Sequence, residues 1–447
     1  MKKSILALPL CVAVTTLVYA TDASFVNGPM RFMPIKGSAY EQTTSDPHIL
    51  NTKPWVIPKG YSQHIVSDEK NLDIYPNQSD MNDMNTVNET GKRAGRYLYR
   101  TQEVRPGDGA TTFTGGAVSI TDLKTGKTKI LAQRADWEAL DGILWTPWQT
   151  LLFAEETIVS QLPDPDVPNA KSGLVYEVKF AKDDPTTVEE ISVRPMLGSL
   201  SHEGIEVDHE GNIYVIDEDK KGSIYKFVPE TYGDLSKGQL YALRVHKGAK
   251  TGMGEWVALD MSQVQIDARI AAQAVNATPF CRPEDIEKIS GTLFVALTCE
   301  DATDANNTDG PGAVLAVKLW KNPKVQYFVQ PGVNVPFEVK PTDTVKGVTG
   351  LRRPDNLAKG PDGKLWIVED NDNSDIWVAV PDEDNDGYSD GVHLFASLKD
   401  KSAEGTGIYF GKDPYTLFVN VQHSETGNDK TMIITRKHQV NYPSSNE

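Results

Sequence analysis

The feature that most constrains this chain is a strand opening that recurs along it. An acidic residue is followed by a small or polar neighbour and then by Ile or Leu, in Asp141-Gly142-Ile143, Glu203-Gly204-Ile205, Glu284-Asp285-Ile286 and Asp355-Asn356-Leu357, with Glu404-Gly405-Thr406-Gly407-Ile408 as a looser copy. After each copy, a Gly or Asp-Gly turn leads into a hydrophobic strand with a polar or acidic end: Glu155-Glu156, Asp217-Glu218-Asp219, Cys299-Glu300, Glu369-Asp370 and Gln422-His423. A third strand, rich in β-branched and aromatic residues, often follows, as at 173–178, 222–227, 312–317 and 375–380. Repeated units of three or four short strands with variable loops predict an all-β fold, a β-propeller. A further unit is expected upstream, where 95–103 precedes a hairpin at 116–131, which makes six blades the expectation, with five or seven allowed.

That geometry carries the reading to chemistry. The innermost strands of a propeller line its central channel, so residues at the same place in each blade face one opening. Asp141, Glu203, Glu284 and Asp355 then converge, joined by Glu103 and Glu404. Carboxylates sharing one opening repel and resist ionising unless a cation compensates them. Hard oxygen ligands favour calcium or another hard ion.

Met1-Lys2-Lys3, an apolar run from Ile5 to about Val18, and Val18-Tyr19-Ala20 have the pattern of a cleaved secretory leader, so residues 1–20 are set aside as a signal peptide. Leu10 precedes Cys11 where a lipoprotein signal wants a small residue, and the apolar run is short for a bilayer span, so no stable membrane anchor is expected. Export places the protein in the periplasm or outside the cell. Residues 21–90 form a polar extension without a repeat, and 91–435 are read as one propeller domain. The net charge of −17 comes without a basic block, which argues against nucleic acid as a partner. A monomer is expected.

Taken in order, Trp145-Thr146-Pro147-Trp148 with Glu155-Glu156, Ser201-His202-Glu203, Arg282-Pro283-Glu284-Asp285, Arg353-Pro354-Asp355-Asn356 and Leu417-Phe418-Val419-Asn420-Val421-Gln422-His423 resemble the landmarks of the PhoX-type alkaline phosphatases, over about residues 95 to 430. The resemblance implies a six-bladed propeller around a cluster of calcium and ferric ions, with Glu203, Glu284 and Asp355 where metal ligands sit. It implies that Arg282 contacts phosphate, which suits a guanidinium that can bind two phosphate oxygens at once. By the same carry-over Glu155, Glu156, Glu218 and Asp219 are calcium ligands or their near neighbours. Two departures stand out: Asp141 occupies the place of the family's iron-binding cysteine, and the leader has Lys2-Lys3 in place of twin arginines. Both imply a calcium-only or differently metallated relative, with ferric iron left open at Asp141.

The expected function is hydrolysis of small phosphomonoesters by a metal-dependent enzyme, with Arg282, Glu203 and Glu284 as catalytic residues. A calcium-dependent propeller esterase or lactonase, and a non-catalytic calcium-stabilised binding propeller, are the alternatives. Asp382, Asp384, Asp386 and Asp390, with Gly387 among them, alternate like the first half of a calcium loop and are read as a separate site. Cys281 and Cys299 flank a hairpin, nearly opposite each other, and are expected to form a disulfide. His202 and His423 lie next to the channel and could ligate a metal or act as general acid, with a structural, hydrogen-bonded role preferred. Serine-hydrolase elbows, Walker loops and dinucleotide fingerprints are missing.

Overall fold

A computed structural model describes residues 25–76, 78–107, 114–299 and 312–437. The expected leader, residues 1–20, and Glu300 lie outside the described residues. Nearly all regular structure is antiparallel sheet, laid down as successive meanders. Asn82–Val87, Tyr97–Gln102, Ala117–Asp122 and Lys127–Gln133 form one; Leu140–Trp145, Leu151–Glu155, Val175–Ala181 and Asp184–Val193 form the next. A nine-stranded sheet follows, in which Ile205–Val207 through Asp234–Val245 is one meander and Pro283–Ile289 through Lys324–Val329 another, fused across the strand Gly252–Ala258. Pro354–Lys359 through Val392–Leu398 take Trp55–Val56 as an added edge, and Glu404–Phe410, Thr416–Gln422 and Lys430–Arg436 are completed by Tyr61–Asp68.

The first strand of every meander packs on the first strand of the next, and Glu404–Phe410 returns to Asn82–Val87, so the inner strands close a ring. That closure is the propeller the repeat predicts. Its wedge-shaped gaps are filled by the hydrophobic faces of adjacent sheets. Tyr99, Trp137, Trp145, Phe153 and Tyr176 pack between the first two meanders, and Phe32, Trp55, Trp366 and Phe395 between the last two. Such aromatic pairs contribute about 0.5–1.5 kcal/mol each beyond their burial.

The repeat has a local cause. In four inner strands the pairing slips by one residue beside the acid, so that two residues face one across the ladder: between Asn82 and Asn85, Leu140 and Ile143, Pro283 and Ile286, and Pro354 and Leu357. A bulge of this kind re-aims a side chain, here the acid into the channel. The residue after the acid makes the contact to the next inner strand. A Cβ at Gly142 would lie 1.6 Å from the carbonyl oxygen of Glu203, and one at Gly204 would lie 2.3 Å from the nitrogen of Ile286. Where that position is polar it bonds across the gap instead: Asp285 Oδ2 accepts from the Leu357 amide at 2.8 Å and Asn356 Oδ1 from the Gly407 amide at 2.5 Å.

The upstream unit differs from the expected one. Its innermost strand is Asn82–Val87, carrying Asp83, whereas 97–102 is the second strand and Glu103 stands at its outgoing end. Residues placed in the polar extension therefore supply sheet: Asn82–Val87 opens a meander, and Tyr61–Asp68 pairs with Lys430–Arg436 to clasp the N-terminal region to the last sheet. A segment rich in Asn, Asp and Ser is tolerated there because Asn85 and Asn88 bond to the backbone of other turns and strands, with Asn85 Nδ2 on Gly407 O at 2.6 Å and Asn88 Nδ2 on Arg93 O at 3.0 Å. Among the described residues, no helix is long and apolar enough to cross a membrane.

Cys281 and Cys299 are joined, with Cα atoms 5.4 Å apart across the hairpin that carries Glu284. Constraining a loop of this length in the unfolded chain contributes roughly 3 kcal/mol. Replacing both cysteines by Ser is expected to lower the denaturant midpoint by an amount of that order, and thiol titration of the unfolded, unreduced wild type should find neither thiol free.

Candidate active site

The inner acids meet at one mouth of the channel, in a cavity of about 290 Å³. Asp83, Asp141, Glu203, Glu284, Asp355 and Glu404 reach it from the inner strands, and Glu103, Glu156, Asp370 and His423 from the outgoing ends of second strands. Glu203, Glu284 and Asp355 come closest, each offering an oxygen within 4.8 Å of the others. Asn356 Nδ2 donates to Glu203 Oε1 at 3.2 Å, and the Thr298 hydroxyl donates to Glu284 Oε1. Gln422 Nε2 donates to Asp83 Oδ2 at 3.0 Å. Asp141 Oδ1 is buried and meets no donor.

Burial, and after it the surrounding carboxylates, hold Asp141, Glu203 and Asp355 far above the ordinary carboxylate range. Burial also raises Glu284, against the pull of Arg282, to about 7. Each of these groups resists charge until a positive ion arrives. The close group Glu203, Glu284 and Asp355 is all oxygen, and Asp141 beside it keeps an unpartnered buried carboxylate oxygen, so the site fits a hard cation.

Two guanidinium groups share the cavity. Arg282 bridges Glu218 and Glu284, with Nη2 at 2.7 Å from Glu218 Oε1 and 2.9 Å from Glu284 Oε1. Arg105 bonds Glu103 and, at 2.7 Å, Glu156 Oε2. Arg282 is thus fixed at the mouth by a carboxylate of the converging group, with its backbone in the left-handed region at φ 42°.

Several expected ligands lie elsewhere. Strand alternation sends Glu155 away from the channel while Glu156 faces it; Glu155 accepts from the Glu138 and Leu174 amides at 3.1 and 3.2 Å inside its own blade. Asp219 sits in a turn, accepts from the Lys221 amide at 2.9 Å and faces Arg269 at 3.6 Å. Glu218 holds Arg282 and is not part of the close carboxylate group. His202 is buried with Nε2 on Gly198 O at 2.9 Å, and burial lowers it to about 4, so it is structural. His423 lines the cavity, 3.5 Å from Glu404 Oε1. In the acidic loop, Asp382, Asp384 and Asp390 place oxygens within 4.8 Å of one another, whereas Asp386 turns to cap the Tyr388 amide at 2.8 Å.

Asp83, Arg105 and Asp370 complete the cavity but were not among the expected site residues. Asp370 carried a readable signal, at the strand end equivalent to Glu156. Asp83 is followed by Met84 rather than by a small or polar residue before Ile or Leu, and Arg105 has no counterpart in the other units.

A family model described as alkaline phosphatase PhoX matches residues 142–425. Among solved structures, Pseudomonas fluorescens PhoX in complex with vanadate, a transition state analogue, superposes with a TM-score of 0.63 at 19% identity, covering 92% of this chain and 98% of that one. A protein of unknown function from Dyadobacter fermentans (TM-score 0.47, 12% identity, 85% of this chain and 100% of that one) and a catalytically inactive virginiamycin B lyase from Staphylococcus aureus with quinupristin (0.43, 12%, 84% and 99%) are more distant. No curated protein matches the chain.

The buried carboxyls generate a pH signature. Their folded values exceed their unfolded ones, so in chelated protein their contribution to stability is full below about pH 4 and falls as pH rises toward about 7, the value for Glu284 and Asp285. A bound cation takes the place of the protons and flattens that decline. Thermal unfolding from pH 4 to 8, with and without chelator, should give diverging curves; parallel curves would contradict a cation at this site.

Proposed function

The chain belongs to the family of PhoX alkaline phosphatases, and from that premise we propose that it hydrolyses small phosphomonoesters at the channel mouth, using calcium held by Glu203, Glu284, Asp355 and Asp141. The observation that supports the reading is the shared carboxylate: Glu284 belongs to the close acidic group and also fixes Arg282, which would set a phosphate-binding guanidinium beside a bound cation. A hard cation bound there supplies charge neutralisation for the phosphoryl oxygens and lowers the pKa of a coordinated water.

The side chains supply the rest. Arg282 donates to two phosphate oxygens from a guanidinium already oriented by Glu218 and Glu284, so little freedom is lost when the ester arrives. Arg105, braced by Glu103 and Glu156, adds positive charge at the same mouth and offsets the repulsion an anionic substrate meets from the acids around it. The ring of Asp83, Asp370 and Glu404 disfavours entry by large polyanions. With Asp141 in place of a thiolate, calcium with little iron is the expected metal content. Export through the leader to the periplasm or beyond, as a monomer, and a structural calcium at Asp382, Asp384 and Asp390 belong to the same proposal.

Turnover of p-nitrophenyl phosphate at alkaline pH, measured with calcium and after chelation beside elemental analysis, tests this. Arg282→Ala should lower kcat/KM by roughly 10- to 100-fold, the equivalent of about 1.5–3 kcal/mol for charged hydrogen bonds, with metal content kept. Glu284→Ala should lose metal and activity together. Absence of turnover with calcium bound would favour an ester, lactone or binding role, and stoichiometric iron would overturn the calcium reading.

A further inference from the structure

A second carboxylate group lies outside the channel cavity. Glu338 comes from the connection between Lys324–Val329 and Pro354–Lys359, Glu369 ends the strand Leu365–Glu369, and Asp375 opens Asp375–Ala379. The three are 3%, 0% and 0% exposed, and each offers an oxygen within 4.8 Å of the others. None of them lines the channel.

Their hydrogen bonds leave specific oxygens over. Glu369 is saturated: Oε1 accepts from the Arg352 amide and from Trp377 Nε1, both at 2.9 Å, and Oε2 accepts from Asn371 Nδ2 at 3.0 Å and the Asp375 amide at 3.3 Å. Glu338 Oε1 takes the Tyr40 hydroxyl, and Asp375 Oδ1 takes Ser38 Oγ at 3.0 Å. Glu338 Oε2, Asp375 Oδ2 and the neutral Asn371 Oδ1 are buried and meet no donor. A buried polar atom without a partner costs about 1–3 kcal/mol, and more where it is charged. Lys340, which pulls on Glu338, has its Nζ against Asp372, 3.6 Å from its Oδ2.

We propose that the free oxygens of Glu338 and Asp375 form a second cation site, for a hard divalent ion of the calcium class, separate from the channel and braced by Glu369. Buried carboxylate oxygens without donors are the chemistry such an ion takes, and water can fill its remaining positions. The ion would tie together three stretches of chain: the N-terminal turn through Ser38 and Tyr40, the long connection through Glu338, and the sheet through Glu369 and Asp375. The Arg352 amide, bonded to Glu369, stands just before Arg353-Pro354-Asp355, so the tie also steadies the strand that delivers Asp355 to the channel.

Calcium content of the full chain, stripped with chelator and reloaded, tests the site in wild type and in the double variant Glu338→Gln, Asp375→Asn. The variant should bind one calcium fewer per chain, and tryptic cleavage at the exposed Lys346, slowed by calcium in wild type, should become insensitive to it. An unchanged calcium count with unchanged protection would overturn the proposal, since a group that holds protons in place of a cation tolerates neutral isosteres. Should the double variant not fold, Trp377→Phe offers a second route: terbium emission excited through tryptophan should drop relative to wild type because the indole sits on Glu369, and equal emission would count against the site.

Discussion

The arrangement of this protein depends on an electrostatic conflict at the channel mouth. Two ionised carboxylates at the 4.8 Å limit found for Glu203, Glu284 and Asp355 repel by about 3.5 kcal/mol at an effective dielectric of 20. Three such pairs approach 10 kcal/mol, which is comparable to the whole stability of an ordinary domain. Arg282 offsets part of this at Glu284, but Asp141 keeps a buried oxygen with no donor. The fold therefore accommodates this group as a protonated or a cation-bound assembly, and rising pH shifts the balance toward the second wherever a cation is at hand.

What lets the chain tolerate such a centre is a division of labour between adjacent residues. The acid at the bulge points into the channel, while the next residue holds the ring, by close backbone approach at Gly142 and Gly204 and by side-chain to amide bonds at Asp285 and Asn356. Site and scaffold are thus one residue apart at Asp141, Glu203, Glu284 and Asp355. A side chain at Gly142 would push on the Glu203 carbonyl and displace that residue without touching its carboxylate. Asn356 does both tasks, since its Nδ2 also steadies Glu203.

The same division explains what was legible in the sequence. Strand period and repeat located Asp141, Glu203, Glu284 and Asp355, because the close approach of inner strands leaves a mark in the chain: acid, small or bonding residue, then Ile or Leu. Adjacent acids at a strand end were harder to separate, since Glu155 and Glu156 differ only in which way the pleat turns them, and this depends on register that the bulge shifts. Asp83 escaped because its strand is polar and lies in a region without the repeat, where partners more than three hundred residues away, Gln422 and Gly407 among them, complete the bonding. Glu338 and Asp375 were out of reach for a similar reason: their proximity is created by a long connection folding back onto a sheet, and no spacing in the chain reports it.

The backbone at the site invites a functional reading that the rest of the ring qualifies. Arg282 adopts φ 42°, a conformation that costs a non-glycine residue about 1–2 kcal/mol, and strain of that kind often marks a reactive group. Yet Met81, Ala139 and Arg353 hold φ 47°, 48° and 51° at the equivalent place, two residues before Asp83, Asp141 and Asp355. Of these, Met81 and Ala139 have no side chain suited to binding phosphate. The left-handed turn is thus how each strand enters its bulge and aims its acid, an architectural cost shared around the ring. At Arg282 the same turn directs a guanidinium toward the mouth, where Glu218 and Glu284 hold it.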